Sequence, residues 1–335
     1  MAIAQPAPAP RSTSRWARWR RWLVPLFGAT VLALLLSHAH KVDWRGAWEA
    51  LQRYPLWLLA GVLAIATASH ALYGCFDLVG RRFTQHRLPR LQAWSIGVTS
   101  YAFNLNLGSL VGGVGLRARL YAKAGLDQAT ISQVVALSLA TNWLGYGLLA
   151  GGLFAAGAVA LPAGAPIAPW ALRALGVAMV LLVLGYVLAC ALARGRAWHV
   201  RGRAIHLPSV PLALVQLGLA TLNWALMGAA MALLLGGDTP YATALAVLMA
   251  AAIVGVVMPI PAGLGVLEAV YLALLSGSVP HGRVMGAVLA YRALYYLLPL
   301  AGGLVLYAGL SRYAAAHPEA GAVEAVAQVP PVLGA

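Results

Sequence analysis

Three charged side chains stand inside stretches of sequence that are otherwise almost entirely apolar. Glu268 follows Gly265 by three residues, Arg117 follows Gly115 by two, and Arg292 lies in the middle of a later apolar run. An ionised group in such surroundings is costly, so Glu268 is expected either to carry a proton or to have a cationic partner, for which Arg292 and Arg117 are the candidates. A guanidinium also suits bidentate binding of a phosphate group. The chemistry that these residues predict is therefore the binding of a charged headgroup or solute.

Two of the charged residues and one amide also have a structural interpretation that the sequence leaves open. Arg117 fits a positive-inside anchor at the end of an apolar segment. Glu268 fits a carboxylate at a helix N-terminus that is satisfied by local N–H groups. Asn106 is a polar residue within an apolar segment, where an amide either joins two helices by hydrogen bonds or contacts a ligand.

One further pair of titratable residues lies seven positions apart on one predicted helix. His70 fits either a packed residue or a proton sensor, since an imidazole titrates near neutral pH. Asp77 is close to the end of the same helix, where Arg81 is the expected partner.

No pattern in the sequence predicts an enzyme. The two cysteines, Cys75 and Cys190, form neither a CxxC pair nor a Cys/His spacing, so no metal, redox centre or disulfide is expected. Gly113-Val-Gly115 lacks the surrounding features of a dinucleotide site. There is no Ser/His/Asp order and there are no paired carboxylates, so we expect no catalytic residues and no cofactor.

Glycine and proline interrupt two of the apolar stretches. Segment 91–124 contains Asn104-Leu-Asn-Leu-Gly-Ser-Leu-Val-Gly-Gly-Val-Gly115, and segment 241–276 contains Met258-Pro-Ile-Pro-Ala-Gly-Leu-Gly265. Both compositions disfavour a continuous helix. Non-helical backbone at membrane depth is tolerated where it is buried in protein or lines a wet cavity, and the helix N-termini after each break would attract an anion. The two breaks therefore predict a substrate site.

The composition places these segments in a membrane. Of the 335 residues, 61% are hydrophobic and only 9% are charged, against about 25% charged residues in soluble domains. The sequence predicts an all-α polytopic membrane protein with about six spanning helices of the usual ~20 residues and two re-entrant broken segments. The predicted segments are 22–37, 55–79, 91–124 (broken), 128–160, 168–192, 211–236, 241–276 (broken) and 284–310.

Charge gives an orientation for these segments. The net charge of +15 arises mainly from Arg clusters in 11–21, 80–90 and 193–209. The positive-inside tendency explains these clusters without nucleic acid and favours anionic lipid headgroups as partners. All three clusters are cytoplasmic if 91–124 enters and returns to the same side. If 241–276 re-enters from the outside, span 284–310 runs inward, and both termini of the chain are predicted to be cytoplasmic.

An offset of 150 residues relates the region 55–160 to the region 205–310. It brings Gly113, Gly115 and Tyr121 onto Gly263, Gly265 and Tyr271. The same order of helix, broken segment and helix recurs, while the orientations that the charges indicate are opposite. This predicts an inverted-topology repeat, which is common among transporters.

The remaining segments complete the predicted organisation. We expect a basic, disordered tail over 1–21, a membrane domain over 22–312 and a flexible tail over 313–335. Within the membrane domain, 38–54 fits an amphipathic helix at the membrane surface. A cleavable signal peptide is the alternative interpretation of the first apolar run.

These motifs resemble the transmembrane region of lysylphosphatidylglycerol synthases. The resemblance covers about residues 20–312 and rests on Asn106-Leu-Gly108-Ser-Leu-Val-Gly-Gly113, on Arg117, and on Met258-Pro-Ile-Pro-Ala-Gly-Leu-Gly-Val-Leu-Glu268. The family includes the multiple peptide resistance factor and stand-alone YbhN-like membrane proteins. One departure is Ala262, where the family often has a further glycine.

The resemblance implies a flippase-like domain that moves phospholipids between leaflets. It implies functional positions at Gly112, Gly113, Arg117, Pro259, Pro261, Gly263, Gly265 and Glu268, to which the charge and amide arguments add Arg292 and Asn106. Only a short tail follows residue 312, so lipid lysinylation by this chain alone is not expected.

Three functions remain open at this point. The first is a phospholipid flippase or scramblase of the bacterial inner membrane, with anionic phospholipids as partners. The second is an ion- or proton-coupled carrier of a small anionic or polar solute. The third is a non-catalytic scaffold in lipid or glycan metabolism. A homo-oligomer or a partner from lipid metabolism is compatible with each of the three.

Overall fold

A computed structural model describes most of the chain. The described residues are 49, 52–159, 168–193, 197–200, 203–237, 239–257, 265–275 and 277–316. The predicted span 22–37, the tail 1–21 and most of the amphipathic helix 38–54 lie outside them, as do residues 317–335.

Helices make up nearly all of the described chain. The α-helices are Leu56–Thr84 (α1), Arg90–Leu107 (α2), Arg117–Lys123 (α3), Gln128–Ala155 (α4), Pro169–Ala193 (α5), Val210–Leu235 (α6), Tyr241–Val257 (α7), Val266–Leu275 (α8), His281–Tyr291 (α9) and Leu298–Ala316 (α10). Two segments are π-helical: Ser109–Leu116 (the first π-segment) and Arg292–Leu297 (the second π-segment). A proline directly precedes α1, α2 and α9, where its fixed φ suits the start of a helix.

Five helical stretches among the described residues are long and apolar enough to cross a membrane. They are 56–84, 128–155, 169–193, 210–235 and 281–314, the last of which comprises α9, the second π-segment and α10. They correspond to five of the six predicted spans. The chain is therefore a predominantly helical polytopic membrane protein, and the number of crossings in the whole chain stays a prediction.

The broken segment 91–124 folds back on itself. α2 ends at Gly108, whose φ of 83° lies in the left-handed region that favours glycine. In the first π-segment, Gly112 lies against the backbone of Phe103, so closely that a Cβ at this position would collide with it. Gly112 therefore permits a tight helical hairpin between α2 and the first π-segment.

The broken segment 241–276 also forms a hairpin. α7 ends at Val257, and α8 begins after Gly265, which has a φ of 81°. The Tyr271 hydroxyl, in the second half of α8, donates a hydrogen bond of 2.8 Å to the carbonyl of Ala244, near the start of α7. The two helices therefore run antiparallel.

The same order of helices occurs in both halves of the chain. The counterparts of α1, α2 and α3 are α6, α7 and α8, whose bounds agree within a few residues after a shift of 150 residues. The counterpart of α4 is the long α9–α10 stretch, which begins near the shifted start of α4 but extends further at its end. α1 also packs directly against α6, which joins the two halves. The opposite orientation of the halves, which defines an inverted repeat, stays a prediction.

A short β-hairpin interrupts the helical pattern between α5 and α6. Strand Ala197–Val200 pairs antiparallel with Arg203–His206, with Ala197 opposite His206. Sequence reasoning treated this region only as a basic loop, because four-residue strands are too short to produce a clear alternation of polar and apolar residues.

The largest core cluster consists mainly of side chains from α6, α7, α8 and α9, so it lies mostly within the second half, and α1 and α4 contribute a few residues to it. Its centre includes Met231, Leu248, Tyr271 and Tyr291, all buried. By contrast, α5 exposes a broad apolar surface that includes Leu181, Leu182 and Leu192. In a membrane this surface would face lipid, since an apolar helix face needs no water.

Candidate functional site

Glu268 and Arg292 form an ion pair between α8 and the second π-segment. Arg292 Nε donates to Glu268 Oε1 at 2.6 Å, and Arg292 NH2 donates to Oε2 at 2.8 Å. This bidentate geometry is the strongest form of Arg–carboxylate contact. The sequence left Arg292 and Arg117 open as partners of Glu268, and the structure places Arg292 there.

The break before α8 contributes to the same pair. The backbone N–H of Gly265 donates to Glu268 Oε2 at 3.0 Å, and the guanidinium of Arg292 lies 5.8 Å from the ring centre of Tyr296. The carboxylate of Glu268 therefore accepts from the backbone at the start of α8 and also pairs with a cation, while its contact with a substrate stays a prediction. The side chain of Glu268 is 17% exposed and that of Arg292 is 7% exposed. Glu268 is therefore partly accessible.

Arg117 forms a separate ion pair with Asp77. Arg117 NH2 lies 3.3 Å from Asp77 Oδ2, and NH1 donates to the Ser138 hydroxyl at 2.6 Å. Tyr121 donates to Asp77 Oδ1 at 2.8 Å, and the guanidinium lies 5.6 Å from the ring centre of Tyr73. The pair thus joins α1, α3 and α4 inside the bundle.

This pair corrects one prediction from the sequence. Asp77 does not pair with Arg81, whose Nε instead donates to the carbonyl of Leu88 at 2.6 Å. Arg81 lies in the last turn of α1 on the same helix as Asp77, but Arg117 reaches Asp77 from α3 because the hairpin packs beside α1. Helical spacing alone could not show this approach.

Asn106 joins two helices. Its amide donates to the carbonyl of Ala102 at 2.8 Å and to that of Tyr296 at 3.1 Å. The contact links α2 with the second π-segment, which contains Arg292. The amide therefore has the structural partners that one sequence interpretation expected, and its contact with a substrate stays a prediction.

Some of the glycines and prolines that were predicted at the site lie within the described residues, and others do not. Gly112 and Gly113 lie in the first π-segment, where both pack against α2. Pro259, Pro261 and Gly263 lie outside the described residues. The structure brings Gly265, Glu268 and Arg292 together, and it places Arg117 in a different cluster.

Sequence reasoning did not predict a polar network at the junction of the two halves. Ser69 on α1 donates to Asn223 Oδ1 on α6 at 2.8 Å and also contacts the hydroxyl of Tyr295. The hydroxyls of Tyr101 and Tyr295 lie 3.3 Å apart. The available signal was the occurrence of polar residues within apolar spans, but such residues do not identify one another across 150 positions or more.

Two titratable groups lie in loops outside the long apolar helices. Burial, together with the nearby positive charge of Arg81, lowers the pKa of His86 to about 4. The partial burial of Asp127 opposes ionisation, but hydrogen bonds from the Thr130 hydroxyl and from backbone N–H groups lower its pKa. Asp127 caps the N-terminus of α4, because its carboxylate accepts from the N–H groups of Ala129 and Thr130.

Within the part of the chain that the structure describes, no three His, Cys, Asp or Glu side chains form a group that could hold a metal ion. The charged residues of the bundle interior instead form two Arg–carboxylate pairs. Such pairs can exchange partners with a phosphate, which binds a guanidinium, or with an ammonium group, which binds a carboxylate.

The long apolar helices and the charge pairs buried between them define a multi-pass integral membrane protein. The chain belongs to the family described as the lysylphosphatidylglycerol synthase TM region, which matches residues 22–303. This confirms the family resemblance that the sequence motifs indicated.

Two relatives extend this comparison. The chain is 41% identical over 298 residues to "Inner membrane protein YbhN" from Escherichia coli (strain K12), covering 89% of this chain and 94% of that protein. It is 25% identical over 302 residues to "Uncharacterized protein slr0712" from Synechocystis, covering 85% of this chain and 90% of that protein. Both alignments therefore extend over most of the membrane domain.

Proposed function

We propose that this protein is a phospholipid transporter of the inner membrane, which moves lipid between leaflets as a flippase or scramblase. The observation that carries the proposal is the bidentate pair of Glu268 and Arg292 at the break that precedes α8. A phospholipid headgroup offers a phosphate for Arg292 and, in amine-containing lipids, an ammonium for Glu268. The pair would then open to bind a lipid and close again after its release.

The surroundings of this pair support such an exchange. Glu268 keeps part of its side chain exposed, and its oxygens already bind both a guanidinium and the Gly265 N–H. An ammonium group could replace the guanidinium while the backbone bond remains. The membrane setting supplies the substrate directly, because lipids surround the apolar helices.

In this proposal Arg117 belongs to a separate cluster and does not contact the substrate in the resting state. Its guanidinium is engaged by Asp77 and Ser138 in the bundle interior. Contact of Arg117 with phosphate stays a prediction, and it would require that ion pair to open. The proposal contains no enzymatic step and no cofactor. Movement of one half of the chain against the other would alternate access, as in transporters with inverted repeats.

The test is a dithionite-quench assay with fluorescent phospholipids in liposomes that contain the purified protein. Wild-type protein is expected to make the inner-leaflet probe accessible, and Glu268→Gln is expected to slow this by about tenfold or more, since a charge-assisted contact of over about 1.4 kcal/mol is lost. Asp127→Asn is the matched control, because it removes one carboxylate at an exposed helix cap while the amide still caps the helix.

The outcomes separate the candidate functions. Equal rates for wild type and Glu268→Gln, with both proteins folded, would remove this ion pair from the lipid pathway. No protein-dependent quenching would favour the second candidate, an ion- or proton-coupled carrier of a small polar or anionic solute. The limited exposure of Glu268 suits a small solute, so uptake of such solutes under a pH gradient is the next measurement.

A further inference from the structure

His70 lies in the interior of the bundle, at the junction of the two halves. It is 4% exposed and belongs to α1, next to Ser69 of the junction network. The ring centres of Tyr101 on α2 and Tyr295 in the second π-segment lie 4.8 Å and 5.2 Å from the centre of its ring. The imidazole is therefore enclosed by side chains from both halves.

The hydrogen bonds of His70 leave one nitrogen ready for a proton. Nδ1 lies 2.8 Å from the carbonyl oxygen of Ala66, which can only accept, so Nδ1 carries the hydrogen of the neutral ring. Nε2 then carries the lone pair, and it has no hydrogen-bond partner among the described residues. A buried polar atom without a partner is costly and is uncommon in native proteins.

We propose that His70 is a proton-binding residue, and that a proton bound at Nε2 loosens the contact between the two halves of the bundle. In this step an O–H bond of a hydronium ion breaks and an N–H bond forms at Nε2, which gives a water molecule and an imidazolium. The same proton later returns to water. The link from this proton to transport rests on the proposed lipid translocation, but proton binding itself does not.

The groups around the ring determine what the proton does. Tyr101 faces it from α2 and Tyr295 faces it from the second π-segment, while α6 contributes the neutral amide of Asn223 to the same network. On α1 the nearest carboxylate is Asp77, two helical turns away and already paired with Arg117. No carboxylate in this described shell faces Nε2, so a hydroxyl oxygen of Tyr101 or Tyr295 would have to accept the new N–H.

Such a bond would disturb the junction. The Tyr295 hydroxyl already contacts both Ser69 and Tyr101, so a new N–H donor would compete with these two contacts. Tyr295 belongs to the second π-segment, and π-helical turns are irregular elements that often occur at functional sites. This segment begins at Arg292, the partner of Glu268. Proton binding at His70 is therefore coupled through one short segment to the proposed lipid site.

The first experiment measures amide hydrogen exchange of segment 291–298 in detergent, with correction for the intrinsic pH dependence of exchange. Lowering the pH stepwise from about 7.5 to about 4, a range that extends well below the usual imidazole titration, is expected to raise the corrected exchange about fivefold or more. His70→Asn is expected to abolish this rise, because asparagine can still donate to the Ala66 carbonyl but does not titrate. His281→Asn, an exposed site at the start of α9, is the control and should keep the rise.

A pH response that is absent in wild type, or that persists in His70→Asn and His70→Gln, would overturn the proposal.

The second experiment repeats the dithionite assay with an imposed pH gradient. Wild-type protein is expected to show a similar gain in the rate of lipid movement, and His70→Asn is expected to lack it. If exchange depends on His70 while no lipid moves at any pH, the proton site stands and the proposed lipid function fails. If lipid moves at a rate that pH does not change, the coupling of the His70 proton to transport fails and the lipid function stands.

Discussion

The two Arg–carboxylate pairs of the bundle differ in how completely the protein encloses them. The side chains of Arg117 and Asp77 are 2% and 0% exposed, whereas those of Arg292 and Glu268 are 7% and 17% exposed. The first pair also binds Ser138 on α4 and Tyr121 on α3, while the second binds the backbone at the start of α8. The enclosed pair, Arg117–Asp77, joins several helices, whereas the partly exposed pair, Arg292–Glu268, lies where α8 begins.

Under the proposed function, this difference assigns a structural role to the enclosed pair and a binding role to the partly exposed pair. A fully enclosed charge that loses its partner has no solvent to replace it, so the helices around it would lose stability together. A partly exposed pair is screened by solvent and loses less when it is broken. The same chemistry, an arginine and a carboxylate, thus suits helix packing beside α1 and ligand exchange beside α8.

The largest expected effect tests the enclosed pair. Asp77→Asn keeps an oxygen that can accept from Tyr121, but it leaves the Arg117 charge buried without a counter-charge. We expect a loss of about 3–5 kcal/mol in the free energy of unfolding. Glu268→Gln should cost less, about 1.5–3 kcal/mol, the range for hydrogen bonds to charged groups. Chemical or thermal unfolding in detergent measures both variants.

A double variant serves as the control for this comparison. Asp77→Asn combined with Arg117→Met removes both charges and should regain most of the lost stability, since no unpaired charge remains. If Asp77→Asn alone lowers the free energy of unfolding by no more than Glu268→Gln does, the enclosed pair is not the stronger structural contact. The distinction between the two pairs would then be wrong.

The partners in one of these two pairs could be predicted from the sequence, and those in the other could not. Glu268 and Arg292 each stood out as an isolated charge in an apolar run, and the sequence could name them as candidate partners. Asp77 and Arg117 could not be matched, because their contact depends on the α2–α3 hairpin packing beside α1. Long-range packing of this kind leaves no periodic signal in a single sequence.

The broken segments show a similar limit. Clustered glycines predicted the interruption that the structure places at Gly108, because glycine tolerates the positive φ found there. The π-helical form of Ser109–Leu116 was not predictable, since it reflects how Gly112 packs on Phe103 rather than a residue preference. The spans were easier to predict because twenty apolar residues in sequence are themselves the signal.

A smaller loss in the free energy of unfolding is expected for substitutions of Tyr121 and Tyr271, two tyrosines that are related by the offset of 150 residues. Tyr121→Phe removes a donor to the buried carboxylate of Asp77 and should cost about 1.5 kcal/mol or more in the free energy of unfolding. Tyr271→Phe removes a donor to the neutral carbonyl of Ala244 and should cost about 0.5–1.5 kcal/mol. Both phenylalanines fill nearly the same space, so each variant is the packing control for the other. Equal losses would show that the charge of Asp77 adds nothing to its hydrogen bond with Tyr121.

The smallest effect concerns the helix that supplies Ser138 to the enclosed pair. α4 begins with the Asp127 cap, whereas its counterpart α9 begins after Pro280, which provides no side-chain cap. Asp127→Ala should lower the free energy of unfolding by about 1 kcal/mol at neutral pH. Because folding lowers the pKa of Asp127, its ionised form stabilises the fold at pH values above the unfolded pKa of about 3.9.

The contribution that depends on charge is lost as the pH falls through the folded pKa of Asp127. The difference between wild type and Asp127→Ala should therefore shrink in acid, and unfolding curves at neutral and acidic pH measure it. Asp127→Asn keeps an uncharged cap and should show a nearly constant stability over the same range. A deficit of Asp127→Ala that is equally large in acid would mean that the carboxylate acts at α4 only through its shape, and that its charge does not contribute to the difference between α4 and α9.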